Sequence, residues 1–143
     1  MEIYIPDGFK ENRNCIRYPY SNMPAVILTN TDKRIDITFN KLSKTLAKEQ
    51  TKAAILAVLR LLEERSDITK TSTRHYFKGG NVNGYWLYYV NKGINEAFIN
   101  FLSVFPIGNR FTMVTLSTAY DNRKEGRKIF LDMLTSVRDK TLP

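Results

Sequence analysis

Large apolar side chains occupy every position of the segment Tyr85–Val90, which has the length and aromatic content of a β-strand. Successive side chains of a strand point to opposite faces of the sheet, so both faces of this strand are apolar. A sheet that is apolar on both faces has to be covered on both sides. The segment therefore predicts a sheet that lies between two other layers.

Two amphipathic helices are available to form those layers. The first is predicted over about Thr45–Arg65 and the second over about Arg123–Arg138. In each, apolar residues recur every three or four positions and form one stripe along the helix. The stripe residues are Ala54, Ile55, Val58, Leu59 and Leu62 in the first helix and Ile129, Phe130, Met133, Leu134 and Val137 in the second. Asn122, with Glu125 three residues later, resembles a capping box that starts the second helix.

The remaining apolar segments give the order β-β-α-β-β-β-β-α, which is an α+β plan. The strands are predicted at Ala25–Thr29, Arg34–Asn40, Thr69–Gly80, Tyr85–Val90, Ala97–Phe105 and Phe111–Ala119. Asn83-Gly84 is the strongest short turn signal in the chain and predicts a hairpin at that point. We predict an α-β-α sandwich, with a central antiparallel sheet of about five to seven strands and two main helices on opposite faces.

Length and charge limit the class of protein. The chain has 143 residues and a formal net charge of +8. This length suits one domain, so we predict a single domain over 1–143 with an irregular lead-in at 1–24. The positive charge favours acidic proteins, nucleic acid or anionic membrane surfaces as partners. No apolar run approaches the ~20 residues of a membrane span, and the first residues lack the pattern of a signal peptide. A cytoplasmic location is therefore expected, with an exported mature fragment left open.

Few residues suited to catalysis are present. The chain has one cysteine, Cys15, and one histidine, His75, which leaves no spacing typical of a metal site. An enzyme would need a pocket that unites one of these two residues with a distant carboxylate, and Asp36 and Asp121 are the candidates. An inert, partly buried thiol and an ordinary strand histidine are the simpler interpretations. We therefore predict a non-catalytic protein with no metal and no cofactor.

Basic residues cluster at the start of both predicted helices. Helix N-termini carry partial positive charge and ordinarily attract acids, and like charges one helical turn apart repel each other. The arrangement costs stability, which indicates that an anionic partner uses the charge. A merely solvated face is the alternative. The candidate anion- or partner-binding residues are Lys44, Lys48, Lys52, Arg123, Lys124, Arg127 and Lys128.

Several stretches together resemble the Mog/PsbP-like family of small α-β-α sandwich domains. They are Tyr18-Pro19, Pro24–Asn30 and Ile35–Asn40, followed by the first helix, the Asn83-Gly84 hairpin, the three-strand meander and the last helix in the family's order. The similarity covers nearly the whole chain as a match of pattern and topology, and it looks most like the family's bacterial branch. Family members are non-catalytic binding proteins, among them a small-GTPase regulator, a photosystem subunit and secretion-related chaperones or envelope proteins. The resemblance implies a fold and a binding role, and it assigns no functional residue.

Two binding functions stay open at this point. The first is a protein-binding domain that acts as an adaptor, chaperone or accessory factor, with another protein, acidic or not, as its partner. The second is a binder of nucleic acid or of a phosphate-bearing ligand through the basic helix N-termini. Aromatic residues such as Trp86 and Phe101 could stack on bases, but their two-faced pattern favours core packing. A salt-tolerant apolar interface would favour the first function, and steep weakening with salt would favour the second.

Overall fold

A computed structural model describes residues 1–12, 26–41 and 51–142 of the chain. The strands of these residues are β1 (Lys10–Glu11), β2 (Val26–Asn30), β3 (Ile35–Lys41), β4 (Ile68–Thr71), β5 (His75–Lys78), β6 (Asn83–Lys92), β7 (Ala97–Ile107) and β8 (Arg110–Ala119). The helices are α1 (Thr51–Glu63) and α2 (Arg123–Ser136). A short 3₁₀ turn, Tyr120–Asn122, leads directly into α2.

The eight described strands form one sheet in the order β1-β2-β3-β8-β7-β6-β4, with β5 also paired to β6. All the pairings are antiparallel. The longest strands, β6, β7 and β8, are neighbours, and they form the predicted meander at the centre of the molecule. The sheet therefore follows the chain order closely, apart from β3, which lies beside β8.

The two helices pack on opposite faces of this sheet. On one face, Leu87 and Tyr89 of β6 belong to an apolar cluster with α1. On the other face, Trp86 and Val90 of the same strand belong to a second cluster with α2, whose Phe130 is fully buried. The prediction of a two-faced strand inside an α-β-α sandwich is confirmed.

The sheet has more strands than the predicted five to seven, because two segments fold differently from expectation. The segment Thr69–Gly80, predicted as one strand, forms the two short strands β4 and β5. Between them, the Ser72 hydroxyl accepts a hydrogen bond from the backbone N–H of Tyr88 at 2.9 Å, which replaces a ladder bond and lets the chain bend. The other addition is β1, two residues of the predicted irregular lead-in that pair with β2.

The hairpin between β5 and β6 turns at Gly80-Asn81, three residues earlier than the Asn83-Gly84 signal predicts. The turn lies at Gly79–Val82, and Asn83 and Gly84 are paired strand residues. A Cβ atom at Gly84 would lie 2.5 Å from the carbonyl oxygen of Val104 and 2.8 Å from the Cβ of Phe105. Glycine is therefore required here for close packing between strands, not for a turn.

A buried carboxylate ties the C-terminal segment to the β7–β8 turn. Asp139 is 1% exposed, and its oxygens accept hydrogen bonds from the backbone N–H of Gly108 at 2.8 Å and of Thr141 at 3.0 Å. The Thr141 hydroxyl donates a third bond at 2.6 Å. Asn81 brackets the backbone of Asp139, accepting from its N–H at 2.7 Å and donating to its carbonyl at 2.9 Å. The segment after α2 is thus held over the end of the sheet.

A paired arginine and aspartate join α1 to β4. The Arg65 guanidinium donates to both carboxylate oxygens of Asp67, at 3.0 and 2.7 Å. These hydrogen bonds favour the ionised form, so they hold the pKa of the Asp67 carboxyl below its ordinary value. The backbone carbonyl of Asp67 accepts a bond from the N–H of Lys92 at 2.9 Å, which fixes this link to β6.

Candidate ligand-binding site

A cavity of about 290 Å³ opens on the α2 face of the sheet, between β4, β6, β7 and the first turns of α2. Its floor consists of two cross-strand pairs, Tyr88 with Phe101 and Val90 with Ile99. Val90, Ile99 and Phe101 are buried, and the ring of Tyr88 lies 6.2 Å from that of Phe101. The antiparallel register of β6 and β7 therefore produces an apolar, partly aromatic floor.

Four basic side chains and Tyr120 surround the opening, and we call the whole the basic-rimmed cavity. The basic residues are Lys70, Arg123, Lys124 and Arg127. All four are exposed, and within the described ranges none of them forms an ion pair. Nearby acids are engaged elsewhere, since Glu125 binds Lys33 at 2.6 Å and Asp132 lies 3.7 Å from Lys128. The rim is therefore positively charged and available to an anion.

Aromatic rings support three of the cations at the rim. The Arg123 guanidinium lies 4.5 Å from the centre of the Tyr120 ring. Lys70 lies over Tyr88 at 5.7 Å. Arg127 lies 5.8 Å from the ring of Trp86, the one tryptophan of the chain. Because cations over ring faces are attracted to them, these contacts hold positive charge beside the floor without neutralising it.

Close packing of α2 on the sheet places its first turns over this floor. Gly126 is buried, and a Cβ atom there would lie 3.0 Å from the Cγ2 of Thr118 and 3.3 Å from a methyl group of Leu116. One turn later, the Phe130 ring packs 5.6 Å from that of Phe101. Gly126 lets α2 approach the sheet closely, and Phe130 anchors it there. Together they fix how far the basic residues of α2 lie above the cavity floor.

The predicted capping box at the start of α2 is not formed. The Asn122 side chain makes no cap hydrogen bond to the helix, and its amide donates to the backbone carbonyl of Lys33 at 3.3 Å and to the Thr118 hydroxyl at 3.1 Å. Glu125 pairs with Lys33 instead of returning to the helix start. Asn122 and Glu125 therefore tie the start of α2 to the β2–β3 turn. The positive end of the helix stays next to the basic rim.

The structure divides the predicted basic residues among different places. Arg123, Lys124 and Arg127 line the basic-rimmed cavity, whereas Lys128 is exposed outside it beside Asp132. Lys52 is exposed on α1, which packs on the opposite face of the sheet. Lys44 and Lys48 lie outside the described residues. The two basic clusters of the sequence therefore do not combine into one surface through the residues that are described.

Sequence reasoning missed two members of the rim, Lys70 and Tyr120. Lys70 is brought to the cavity by its register opposite Val90, next to an irregularity in β4 that shifts the pairing. Tyr120 reaches it because the 3₁₀ turn bends the chain between β8 and α2. Both placements depend on strand pairing or on a turn that composition does not reveal. The alternation of side chains along β4 could have indicated which face Lys70 occupies, but the register shift between Ile68 and Lys70 breaks that alternation.

The residues considered for catalysis are not assembled into a site. His75 is exposed, and its ring stacks on Trp86 at 4.5 Å. Asp36 accepts a hydrogen bond from the Thr29 hydroxyl at 2.7 Å, and Asp121 is exposed in the 3₁₀ turn. In the described part of the chain neither acid bonds to His75, and no three metal-binding side chains come together. Cys15 lies outside the described residues.

Three larger cavities among the described residues lack a group of cations around an apolar floor. One, of about 540 Å³, is polar and is lined by both signs of charge, including Lys10 and Asp32. Another, of about 580 Å³, is mainly apolar and has Lys41 as its charged lining residue. The third, of about 380 Å³, lies beside Ile55 and Leu59 of α1 and has Arg74 as its charged lining residue. The basic-rimmed cavity is therefore the better candidate for recognition of an anionic group.

Several solved structures share this fold, among them LpqN and Mog1p. LpqN of Mycobacterium tuberculosis, a protein involved in cell envelope biogenesis, matches with a TM-score of 0.59 and 8% sequence identity, over 93% of this chain and 79% of LpqN. The Saccharomyces cerevisiae Ran-binding protein Mog1p matches with a TM-score of 0.52 and 9% identity, over 92% of this chain and 88% of Mog1p. No protein-family model and no curated protein matches the sequence. The chain has a Mog/PsbP-like fold, as its sequence resemblance predicts, and at these identities the likeness is one of fold alone.

The described residues include no helix with the length and apolar character of a membrane-spanning segment.

Proposed function

We propose that the protein is a non-catalytic binding protein that recognises an acidic partner protein through the basic-rimmed cavity. The observation that carries the proposal is a set of four cations, free of acidic partners among the described residues, around an apolar floor. Protein interfaces commonly have an apolar centre and a polar rim, and opposite charges across the rim select the partner. An acidic segment with apolar content matches both parts of the cavity.

The structural neighbours support a binding role in general terms. Mog1p is a Ran-binding protein, and LpqN takes part in cell envelope biogenesis. Neither description is that of an enzyme. A binding role for this chain agrees with the arrangement of His75, Asp36 and Asp121, which do not contact one another. The proposal is that this fold presents a binding surface here, with its own partner.

A phosphate-bearing ligand or nucleic acid is the alternative, because the same four cations would attract it. Binding would then weaken steeply as salt displaces the protein from phosphates. The alternative is less favoured, since the side chains that line the cavity can donate to a base, but among the described ones only the two tyrosine hydroxyls could accept from its amino groups. The two functions therefore differ in whether an acidic peptide or a phosphate-bearing ligand stays bound at moderate salt.

Selection of random peptides displayed on phage tests the proposal. The targets are the wild-type chain, the double variant Arg123→Gln/Arg127→Gln and the control Lys128→Gln. The control removes one positive charge from the same helix, half the charge change of the double variant, at a position outside the cavity. We expect peptides rich in Asp and Glu from the wild type and the control, and loss of that enrichment with the double variant.

Enrichment that is unchanged in the double variant, or that lacks acidic residues, would overturn the proposal. A parallel arm measures binding of a single-stranded oligonucleotide and of inorganic pyrophosphate between low and moderate salt. Tight binding of either probe, lost in Arg123→Gln/Arg127→Gln and kept in Lys128→Gln, would establish the phosphate alternative instead.

A further inference from the structure

The acidic segment, we infer, inserts one large apolar side chain, of the size of Leu or Phe, into the basic-rimmed cavity and places acidic residues on both sides of it. This inference rests on the proposed function and adds the sequence pattern of the partner. The pattern is acidic–apolar–acidic. It follows from the size of the cavity, the chemistry of its lining and the positions of the cations.

The size of the cavity suits a single side chain. Its volume of about 290 Å³ lies just below the range for small-molecule sites, which is roughly 300–1,000 Å³. The floor pairs Val90–Ile99 and Tyr88–Phe101 are fixed by the register of β6 and β7, so the cavity is pre-formed. A pre-formed apolar pocket at the centre of an interface is the usual place for an anchor residue.

The chemistry of the lining favours an apolar group over a sugar or a base. The described lining consists of Val90, Ile99, Phe101, two tyrosines and the four cations. A polar group inserted among these residues would find few acceptors for its own donors, because among the lining side chains only the tyrosine oxygens can accept. An unpaired buried donor costs binding energy, whereas an apolar side chain loses nothing there. The floor therefore selects for a hydrocarbon surface.

The positions of the cations require acidic residues on both sides of the anchor. Lys70 approaches from β4, where it lies opposite Val90. Arg123, Lys124 and Arg127 approach from α2 on the other side of the floor. A segment crossing the cavity therefore meets one cation before the anchor and three after it, or the reverse. Acidic residues that flank the anchor would pair with both groups.

Trp86 provides an internal reporter of binding. Arg127 lies 5.8 Å from its ring, and Trp86 is the one tryptophan of the chain. A carboxylate that pairs with Arg127 changes the charge beside the indole ring, so its emission changes when a tryptophan-free peptide binds. Calorimetry on the same samples supplies an affinity that does not depend on fluorescence.

The test uses four tryptophan-free peptides of equal length and the full chain. Three carry Asp and Glu on both sides of a central Phe, Leu or Ala, and the fourth keeps the central Phe with Gln and Asn as flanks. Replacing Phe by Ala is expected to weaken binding about 10- to 100-fold, since a buried large side chain contributes that much. The neutral-flank peptide is expected to bind much more weakly than the acidic Phe peptide, even at low salt, where charge pairing is strongest.

Two variants test the side of the cavity away from α2. Lys70→Gln removes the cation of β4, and Lys78→Gln removes an exposed lysine of the neighbouring β5, which does not line the cavity. We expect about two- to fivefold weaker binding of the Phe peptide by Lys70→Gln, the effect of one exposed charge pair, and no change by Lys78→Gln. Equal affinities of the Lys70→Gln and wild-type chains would overturn the two-sided pattern.

The outcomes separate this inference from the proposed function. If the Phe and Ala peptides bind equally, and Arg123→Gln/Arg127→Gln weakens both, the anchor inference fails and the proposed function stands. If no acidic peptide binds at millimolar concentration, both fail. If an oligonucleotide or pyrophosphate binds while the peptides do not, both fail in favour of the phosphate alternative.

Discussion

Replacement of Phe130 by alanine measures how firmly α2 is seated on the sheet. The Phe130 ring is fully buried and packs 6.0 Å from Trp86 and 5.6 Å from Phe101. Truncation removes the buried ring and leaves a cavity that the rigid sheet cannot close, so the free energy of unfolding is expected to fall by about 3–5 kcal/mol. For a chain of this length that loss corresponds to a decrease of roughly 6–20 °C in Tm. Phe130→Leu keeps most of the apolar area and should cost about 1–2 kcal/mol.

Urea denaturation provides the assay, followed by far-ultraviolet circular dichroism and by the fluorescence of Trp86. The two signals should change together if the chain unfolds in one step, as small domains usually do. Agreement between them also shows that the altered neighbour of Trp86 has not merely shifted its emission. A loss below about 1.5 kcal/mol for Phe130→Ala would refute the reasoning. It would mean that α2 does not rest on the aromatic cluster, and the rim would lose its support.

Three further changes have expected results. Asp139→Ala should lower the free energy of unfolding by about 2–4 kcal/mol, because three hydrogen bonds to a buried carboxylate are lost. Equilibrium unfolding measures this change, and a loss below about 1 kcal/mol would contradict the role of that carboxylate in holding the C-terminal segment. Arg65 lowers the pKa of the Asp67 carboxyl in the folded chain. The pair therefore stabilises the fold fully above the pKa that Asp67 has in the unfolded chain, and this stabilisation is lost as the pH falls through its pKa in the folded chain. Asp67→Asn should therefore lower the free energy of unfolding by less than about 1 kcal/mol at neutral pH. It should also make Tm fall less steeply at acid pH, and an unchanged dependence of Tm on pH would count against the pair. Gly84→Ala should lower Tm, because the added Cβ would lie 2.5 Å from the Val104 carbonyl oxygen, and an unchanged Tm would contradict that close approach.

The architecture was predictable because its main signals are local. The unbroken apolar run Tyr85–Val90 gives its strand two apolar faces, and the two helical stripes supply the layers that cover them. The α-β-α sandwich follows from these segments without knowledge of any distant contact. Ile55 of α1 and Phe130 of α2 lie in the two separate clusters that this plan requires.

The turn at Gly79–Val82 was misplaced because a glycine can serve two purposes. Asn83-Gly84 has the composition of a tight hairpin, and local reasoning assigns it to one. In the structure Gly84 is required by the backbone of Val104, a strand neighbour twenty residues away in sequence. Packing across strands thus overrides the local turn preference, and it is not visible in the neighbourhood of Gly84.

The candidate site was predictable only in part, for a similar reason. The basic start of α2 is apparent in the sequence, and the structure places Arg123, Lys124 and Arg127 beside a cavity. The sequence also groups Lys52 with them, although α1 packs on the other face of the sheet. Lys70 joins the rim through its pairing with β6, which the sequence around it does not indicate. The spacing of basic residues along a helix identifies a charged face. The pairing of the strands decides which charged residues lie together in the folded chain.

The proposed function would account for the cost of the positive charge at the start of α2. Arg123 and Arg127 are one turn apart, so they repel each other on the helix surface. Their contacts with Tyr120 and Trp86 recover part of this cost, and an acidic ligand would recover the rest. A solvated face would need neither the aromatic supports nor the apolar floor between α2 and Lys70.

The most direct test of the central claim is methyl NMR of the chain during titration with the acidic peptide that carries a central Phe. Val90 and Ile99 form the cavity floor, and Ile55 and Leu62 belong to the apolar cluster on the opposite face of the sheet. Ring currents of the inserted Phe are expected to shift the methyl signals of Val90 and Ile99 and to leave those of Ile55 and Leu62 in place. Shifts confined to Ile55 and Leu62, or saturable binding without shifts at Val90 and Ile99, would contradict the account.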